Sequence, residues 1–245
     1  GSLERYEKDL KYFIKIILSG LQESNFPISN TESYDVLSNY ISLFNPKNKT
    51  NISSRDFIGP SSYTLQLNNM IKETDSNIPN INTDYCVTEK ADGLRKLLYI
   101  NSNGRLYLID TNMKVQFTGC ILTNKDTYKN TLIDGEHIIH DKMGVFINLY
   151  AAFDIYFINN KDVRMNDFNT PKKSNTERYR YLLELITNIE LKSSRPLSKQ
   201  TAPCIPYRSH GATLIFMRLI PKSSWTGTGS FSHQSRKLSC KNTRV

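Results

Sequence analysis

Acidic residues are missing from the last 55 positions of this 245-residue chain. From Leu191 to Val245 there are ten Lys or Arg and no Asp or Glu, so residues 1–190 hold 22 basic and all 23 acidic residues, a net of −1. The whole formal excess of +9 lies in the tail, which also carries ten Ser and one Asn, Asn242. That composition excludes a uniformly basic domain and reads in one of two ways. The first is a basic, Ser-rich nucleic-acid arm; the second is an extension that is disordered, altered or foreign to the domain before it.

Long apolar runs are also missing. No stretch of 18 apolar residues occurs, so no segment suits a membrane-spanning helix, and the expectation is a soluble, intracellular protein without a membrane partner. Cysteine is sparse. Cys86, Cys120, Cys204 and Cys240 are widely scattered, with no Cys-x-x-Cys pair and no His at zinc-ligand spacing, which argues against a zinc site and favours reduced, mostly buried thiols. His137 and His140 are three apart; in a strand they point to opposite faces and cannot share a metal.

What is present divides into helix, a long β section and helix again, the pattern of an α+β fold. Leu3, Tyr6, Leu10, Phe13, Ile14, Ile17, Leu18 and Leu21 recur at three- and four-residue intervals and predict an amphipathic helix over 3–22. A second helix is expected over about 33–44, and a third over 177–191 with Thr176 or Asn175 as its cap. Strands are expected from about Tyr85. Asn103-Gly104 marks a two-residue hairpin, and Asp141 to Gly144 separates two further apolar runs. The expected organisation is 1–80 as helical segment and linker, 81–190 as the core, and 191–245 as the basic tail.

The stretch "VTEKADGLR", Val87 to Arg95, places a lysine beside a turn glycine and two residues from an acid. Alone, Lys-x-Asp-Gly is a weak signal that also fits a solvated hairpin. It is followed by "LIDGEHI", Leu132 to Ile138, and by "YAAFDIYF", Tyr150 to Phe157. In order and spacing these stretches resemble motifs I, III and IIIa of the covalent nucleotidyltransferases, which include mRNA guanylyltransferases and ATP-dependent polynucleotide ligases. "FPISN" near Phe26 and "FIGPSSYTLQ" from Phe57 are similar to the guanylyltransferase region of capping enzymes from poxviruses and giant viruses. The resemblance covers roughly residues 10–165.

The resemblance implies an α+β nucleotidyltransferase domain of the ATP-grasp-like ligase and guanylyltransferase type, with twisted antiparallel sheets, flanking helices and no OB-fold domain in this chain. It implies Lys90 as the nucleophile. A lysine is inert while protonated, and with an ordinary pKa near 10.4 only about one in a few thousand is neutral at pH 7, so burial at a strand end is expected to favour the free amine. Lys90 would attack the α-phosphate of GTP, expel pyrophosphate, and pass GMP to a 5′-diphosphate RNA end to form a GpppRNA cap. Thr88, Asp92, Gly93, Arg95, Glu136 and Phe153 are the implied nucleotide-binding residues. Arg95 and Glu136 would hold the ribose hydroxyls, and Phe153 would stack on the purine. Thr88 shares the face of Lys90 in a strand and can donate to guanine O6, where ligases usually carry a glutamate for adenine.

Mg²⁺ or Mn²⁺ is the implied cofactor, with Asp134 and Asp154 as candidate metal ligands. The implied partners are GTP, 5′-diphosphate RNA and further capping domains in the parent protein, namely triphosphatase, methyltransferase and OB-fold domains. The implied setting is cytoplasmic, in a virus factory or virion if the protein is viral. The pattern departs from the family near 205–220, where His210 stands in place of the motif IV aspartate, and no Lys-x-Lys motif V follows. The chain is therefore expected to be a fragment with impaired activity. Two alternatives remain: an ATP-dependent ligase, or an inactive nucleotidyltransferase fold that binds RNA or docks a subunit.

Overall fold

The computed structural model describes residues 2–45, 51–61, 64–71, 80–82, 86, 90–169, 176–194, 206–207 and 215–218. Helix α1 (Ser2–Gln22) forms as its periodicity predicts, but most of its apolar stripe is exposed, with Leu18 half-buried. Leu10 and Phe13 are both 60% exposed. Helix α2 (Asn30–Ser42) begins three residues earlier than expected because Ser29 caps it, its hydroxyl accepting from the Glu32 amide at 3.0 Å. Helix α3 (Arg178–Asn188) starts after Glu177, which takes the cap position expected of Thr176 or Asn175.

The centre of the chain is an antiparallel sheet. Its strands are β1 (Leu94–Ile100), β2 (Arg105–Asp110), β3 (Val115–Leu122), β4 (Thr131–His140), β5 (Phe146–Ile158) and β6 (Lys161–Asp162). Three more, β7 (Leu191–Ser193), β8 (Pro206–Tyr207) and β9 (Ile215–Arg218), come from the acid-free segment. The order is β7-β3-β2-β1-β4-β5-β9-β8, with β6 against β5. Both expected hairpins form, although the first turns through three residues, Ser102 to Gly104, rather than through Asn103-Gly104 alone, and Gly104 and Gly144 adopt positive φ at their turns. Mixed helix and antiparallel strand is the fold class the sequence pattern predicts.

The inner strands are apolar on both faces because both faces are covered. Leu98, Ile100, Ile133 and Ile155 pack with Leu182, Leu185 and Ile186 of α3 on one face. Leu97, Tyr99, Leu132, Tyr156 and Phe157 pack with Val36, Tyr40 and Ile41 of α2 on the other. Arg95, two residues before Leu97, and Asp134, two after Leu132, share the α2 face by alternation. The expectation for the cysteines fails at two positions: Cys86 is exposed, and Cys120, buried in β3, is disulfide-bonded.

Candidate active site

The register of β1 on β4 assembles the site. Arg95 stands opposite Glu136 and Leu97 opposite Asp134, so residues some 40 positions apart in sequence meet at the end of β1 where the Lys90 loop enters. The loop lies close to β4 at Gly93. A Cβ there would stand 2.6 Å from the His137 carbonyl oxygen and 3.0 Å from Cγ of Glu136, so the approach needs glycine. The Gly93 amide donates to the Glu136 carboxylate. Burial raises the Glu136 pKa above the usual carboxylate range, against the pull of that amide, Lys90 and Arg95.

Lys90 does not sit as the chemistry led us to expect. It lies outside β1, which begins at Leu94, its side chain is 84% exposed, and its ammonium pairs with the Asp92 carboxylate. The hydrogen bond to Asp92 raises the Lys90 pKa and lowers that of Asp92. The Asp92 hydrogen bond and charge outweigh what desolvation remains at this exposed side chain, and the ion pair favours the unreactive ammonium.

Arg95 is held on several sides. Its Nε donates to Oδ1 of Asp134 at 3.2 Å and its Nη2 to Oδ2 at 2.6 Å, a bidentate grip on a carboxylate with 0% of its side chain exposed. The Tyr156 hydroxyl donates to the same Oδ2 at 2.5 Å. Arg95 Nη1 donates to the Pro60 carbonyl at 2.6 Å.

Asp134 and Asp154, the candidate metal ligands, face each other as Cα partners on β4 and β5. Like charges so placed repel, and each is neutralised by its own arginine: Asp154 accepts from Arg178 Nε at 2.8 Å and Nη2 at 3.1 Å. Both carboxylates are thus committed to guanidiniums that compete with a cation for the same oxygens. No group of three metal-binding side chains comes together among the described residues. These residues do not fit a dedicated cage for Mg²⁺ or Mn²⁺, which prefers an octahedral shell of open oxygens.

Phe153 and Tyr156 share a structural origin. The pairing of β5 on β4 skips one residue between Ala152 and Asp154 and another between Ile155 and Phe157, so both aromatics are the extra residues of β-bulges. Phe153 is half-buried at its bulge. Strict alternation would have misplaced everything beyond it, which is why Tyr156 escaped the sequence reading. Thr88 and His210 lie outside the described residues.

A polar cluster on the opposite face was also not anticipated. Lys96 Nζ lies 3.2 Å from Gln116 Oε1 and 3.0 Å from His137 Nδ1, and His137 Nε2 lies 2.7 Å from Asn148 Oδ1. Burial lowers the Lys96 pKa and takes His137 down to about 4.

Residues 66–195 match the family model described as mRNA capping enzyme, catalytic domain. The chain belongs to the mRNA capping enzyme catalytic-domain family. That match contains Lys90, Arg95, Asp134, Glu136 and Phe153, so the gathered residues lie within the segment that defines the capping-enzyme domain. A probable mRNA-capping enzyme of Acanthamoeba polyphaga mimivirus is 33% identical to it over 183 residues, 69% of this chain. The matched part is 14% of that viral protein, so this capping-enzyme domain spans a small share of its relative's length.

Proposed function

We propose that this domain is an mRNA guanylyltransferase that works through a covalent Lys90–GMP intermediate. The observation that carries the reading is the convergence of Lys90, Gly93, Arg95 and Glu136 at the β1–β4 junction, within the capping-enzyme match. A guanidinium that donates and a carboxylate that accepts stand on adjacent strands, as recognition of a ribose diol needs. Phe153 offers an apolar ring for the purine.

In the first step Lys90 Nζ, after losing a proton, forms a P–N bond to the α-phosphorus of GTP as the bond to pyrophosphate breaks. In the second, a β-phosphate oxygen of the RNA end attacks that phosphorus, the P–N bond breaks, and Lys90 recovers a proton. Binding must first separate Lys90 from Asp92, and the negative phosphates compete with Asp92 for the ammonium. A divalent ion would arrive on the triphosphate rather than occupy a protein cage, and no step here is routed through it. The basic tail would supply a path for the RNA backbone. The remaining length of the viral relative supports companion capping domains in the parent protein.

The second reading is an RNA-binding or docking module without covalent activity. The exposed, ion-paired Lys90 and the committed carboxylates Asp134 and Asp154 favour it.

The test is incubation with α-labelled GTP or ATP and Mg²⁺ or Mn²⁺, followed by a search for acid-labile label on the denatured chain, with Lys90→Ala as control. Label from GTP that Lys90→Ala abolishes supports the guanylyltransferase, and label from ATP moves the reading to a ligase. No label, with salt-sensitive RNA binding, supports the module.

A further inference from the structure

Arg95 is clasped between the sheet and a strap that lies outside the family match. On the sheet side stands Asp134, with Tyr156 behind it. On the other side is residues 57–60, upstream of the matched region 66–195. The Phe57 ring centroid is 5.4 Å from the guanidinium carbon, and the Pro60 carbonyl accepts from Nη1 at 2.6 Å. The strap is pinned to the core by Tyr40, whose buried hydroxyl donates to the Asp56 carbonyl at 2.7 Å and accepts from the Ile58 amide at 3.1 Å.

Gly59 is the point of closest approach. A Cβ there would lie 2.2 Å from Arg95 Nη2 and 2.8 Å from Cζ, so any side chain must push the guanidinium away. A guanidinium carries five N–H donors. Among the described residues Asp134 and Pro60 take three of these, one each on Nε, Nη1 and Nη2, and the Tyr156 hydroxyl is a further partner, which leaves no more than two on the terminal nitrogens for a ligand. Outer N–H donors held in place suit hydroxyl oxygens such as those of a ribose 2′,3′-diol.

We propose that the strap Phe57–Pro60 is a positioning element for sugar recognition. Through Gly59 and the Phe57 ring it fixes the outer edge of the Arg95 guanidinium against the ribose hydroxyls, and so makes the site select ribonucleoside over deoxyribonucleoside triphosphates. This rests on the reading above, in which Arg95 holds the ribose; it adds that residues outside the family match decide how well it does so. Packing alone would make the strap a stability element. Its direct contacts with the guanidinium make it a specificity element, because a displaced guanidinium still pairs with Asp134 but no longer aims its outer edge.

The test measures binding of GTP and of 2′,3′-dideoxyGTP by calorimetry for the wild type, Arg95→Ala, Gly59→Ala and Phe57→Leu, with thermal melts to show that each variant folds. The wild type should prefer GTP by about tenfold or more, the scale of losing hydrogen bonds to a charged group. Arg95→Ala should erase the preference. Gly59→Ala and Phe57→Leu should each reduce it by about threefold or more, with affinity for dideoxyGTP falling less than affinity for GTP. In an Arg95→Ala background Gly59→Ala should change the ratio no further. If Arg95→Ala erases the preference while either folded strap variant keeps it in full, the strap proposal is wrong and the ribose role of Arg95 stands. If the wild type shows no preference, or Arg95→Ala leaves it intact, the ribose role itself fails and the strap proposal with it.

Discussion

Asp134 and Asp154 are directly opposed across β4 and β5, and each is answered by a different arginine, Arg95 and Arg178. The relationship turns two acids that looked like metal ligands into anchors. Asp134 anchors Arg95 on β1, and Asp154 anchors Arg178 in the first turn of α3.

Freeing Lys90 from Asp92 should make it a better nucleophile at lower pH. Asp92 raises the Lys90 pKa, so Asp92→Asn should lower it, and the free amine should appear at lower pH. The pH profile of acid-labile GMP attachment should move to lower pH in Asp92→Asn. An unmoved profile would mean that the nucleotide already breaks the pair before the titration that matters.

Gly93→Ala should damage both stability and labelling. Its methyl would meet the His137 carbonyl at 2.6 Å, a backbone contact that cannot step aside. We expect a loss of about 1–3 kcal/mol in urea unfolding, with weaker GMP attachment because the amide of residue 93 leaves Glu136.

Tyr40→Phe should cost about 1–3 kcal/mol, although it removes a single oxygen. That hydroxyl serves the Asp56 carbonyl and the Ile58 amide, and its loss strands part-buried backbone groups. Thermal melts check the magnitude, and proteolysis near residues 53–61 checks the location.

His137 should make the fold acid-sensitive. Burial holds its folded pKa at about 4, below the ordinary value of 6.5, so the unfolded chain binds a proton between those values that the folded chain refuses. The contribution is complete above about pH 6.5 and is lost as pH falls toward 4, amounting to about 3 kcal/mol. Denaturant midpoints from pH 7 to pH 4.5 should fall in the wild type and fall less in His137→Gln.

Much of this molecule is written locally in the sequence. Three- and four-residue apolar spacing specified α1 and α3, Asn103-Gly104 specified a hairpin, and Lys90, Arg95 and Glu136 were readable as a set because a short motif fixes their order. Those signals act over a few residues, where dihedral preference and face alternation suffice. The tertiary structure alone decided which charges are spent. Arg95 finds Asp134 only through the β1–β4 register, and Asp154 finds Arg178 only when α3 packs on the sheet. Two bulges reset the alternation of β5 and bring Tyr156 to Asp134, while a strap fastened by Tyr40 reaches Arg95 from the far side. An ion pair depends on distance and desolvation, which sequence spacing does not encode. The motif therefore pointed to the family, and packing determined that Lys90 is exposed and paired and that Asp134 holds an arginine rather than an open place for a metal.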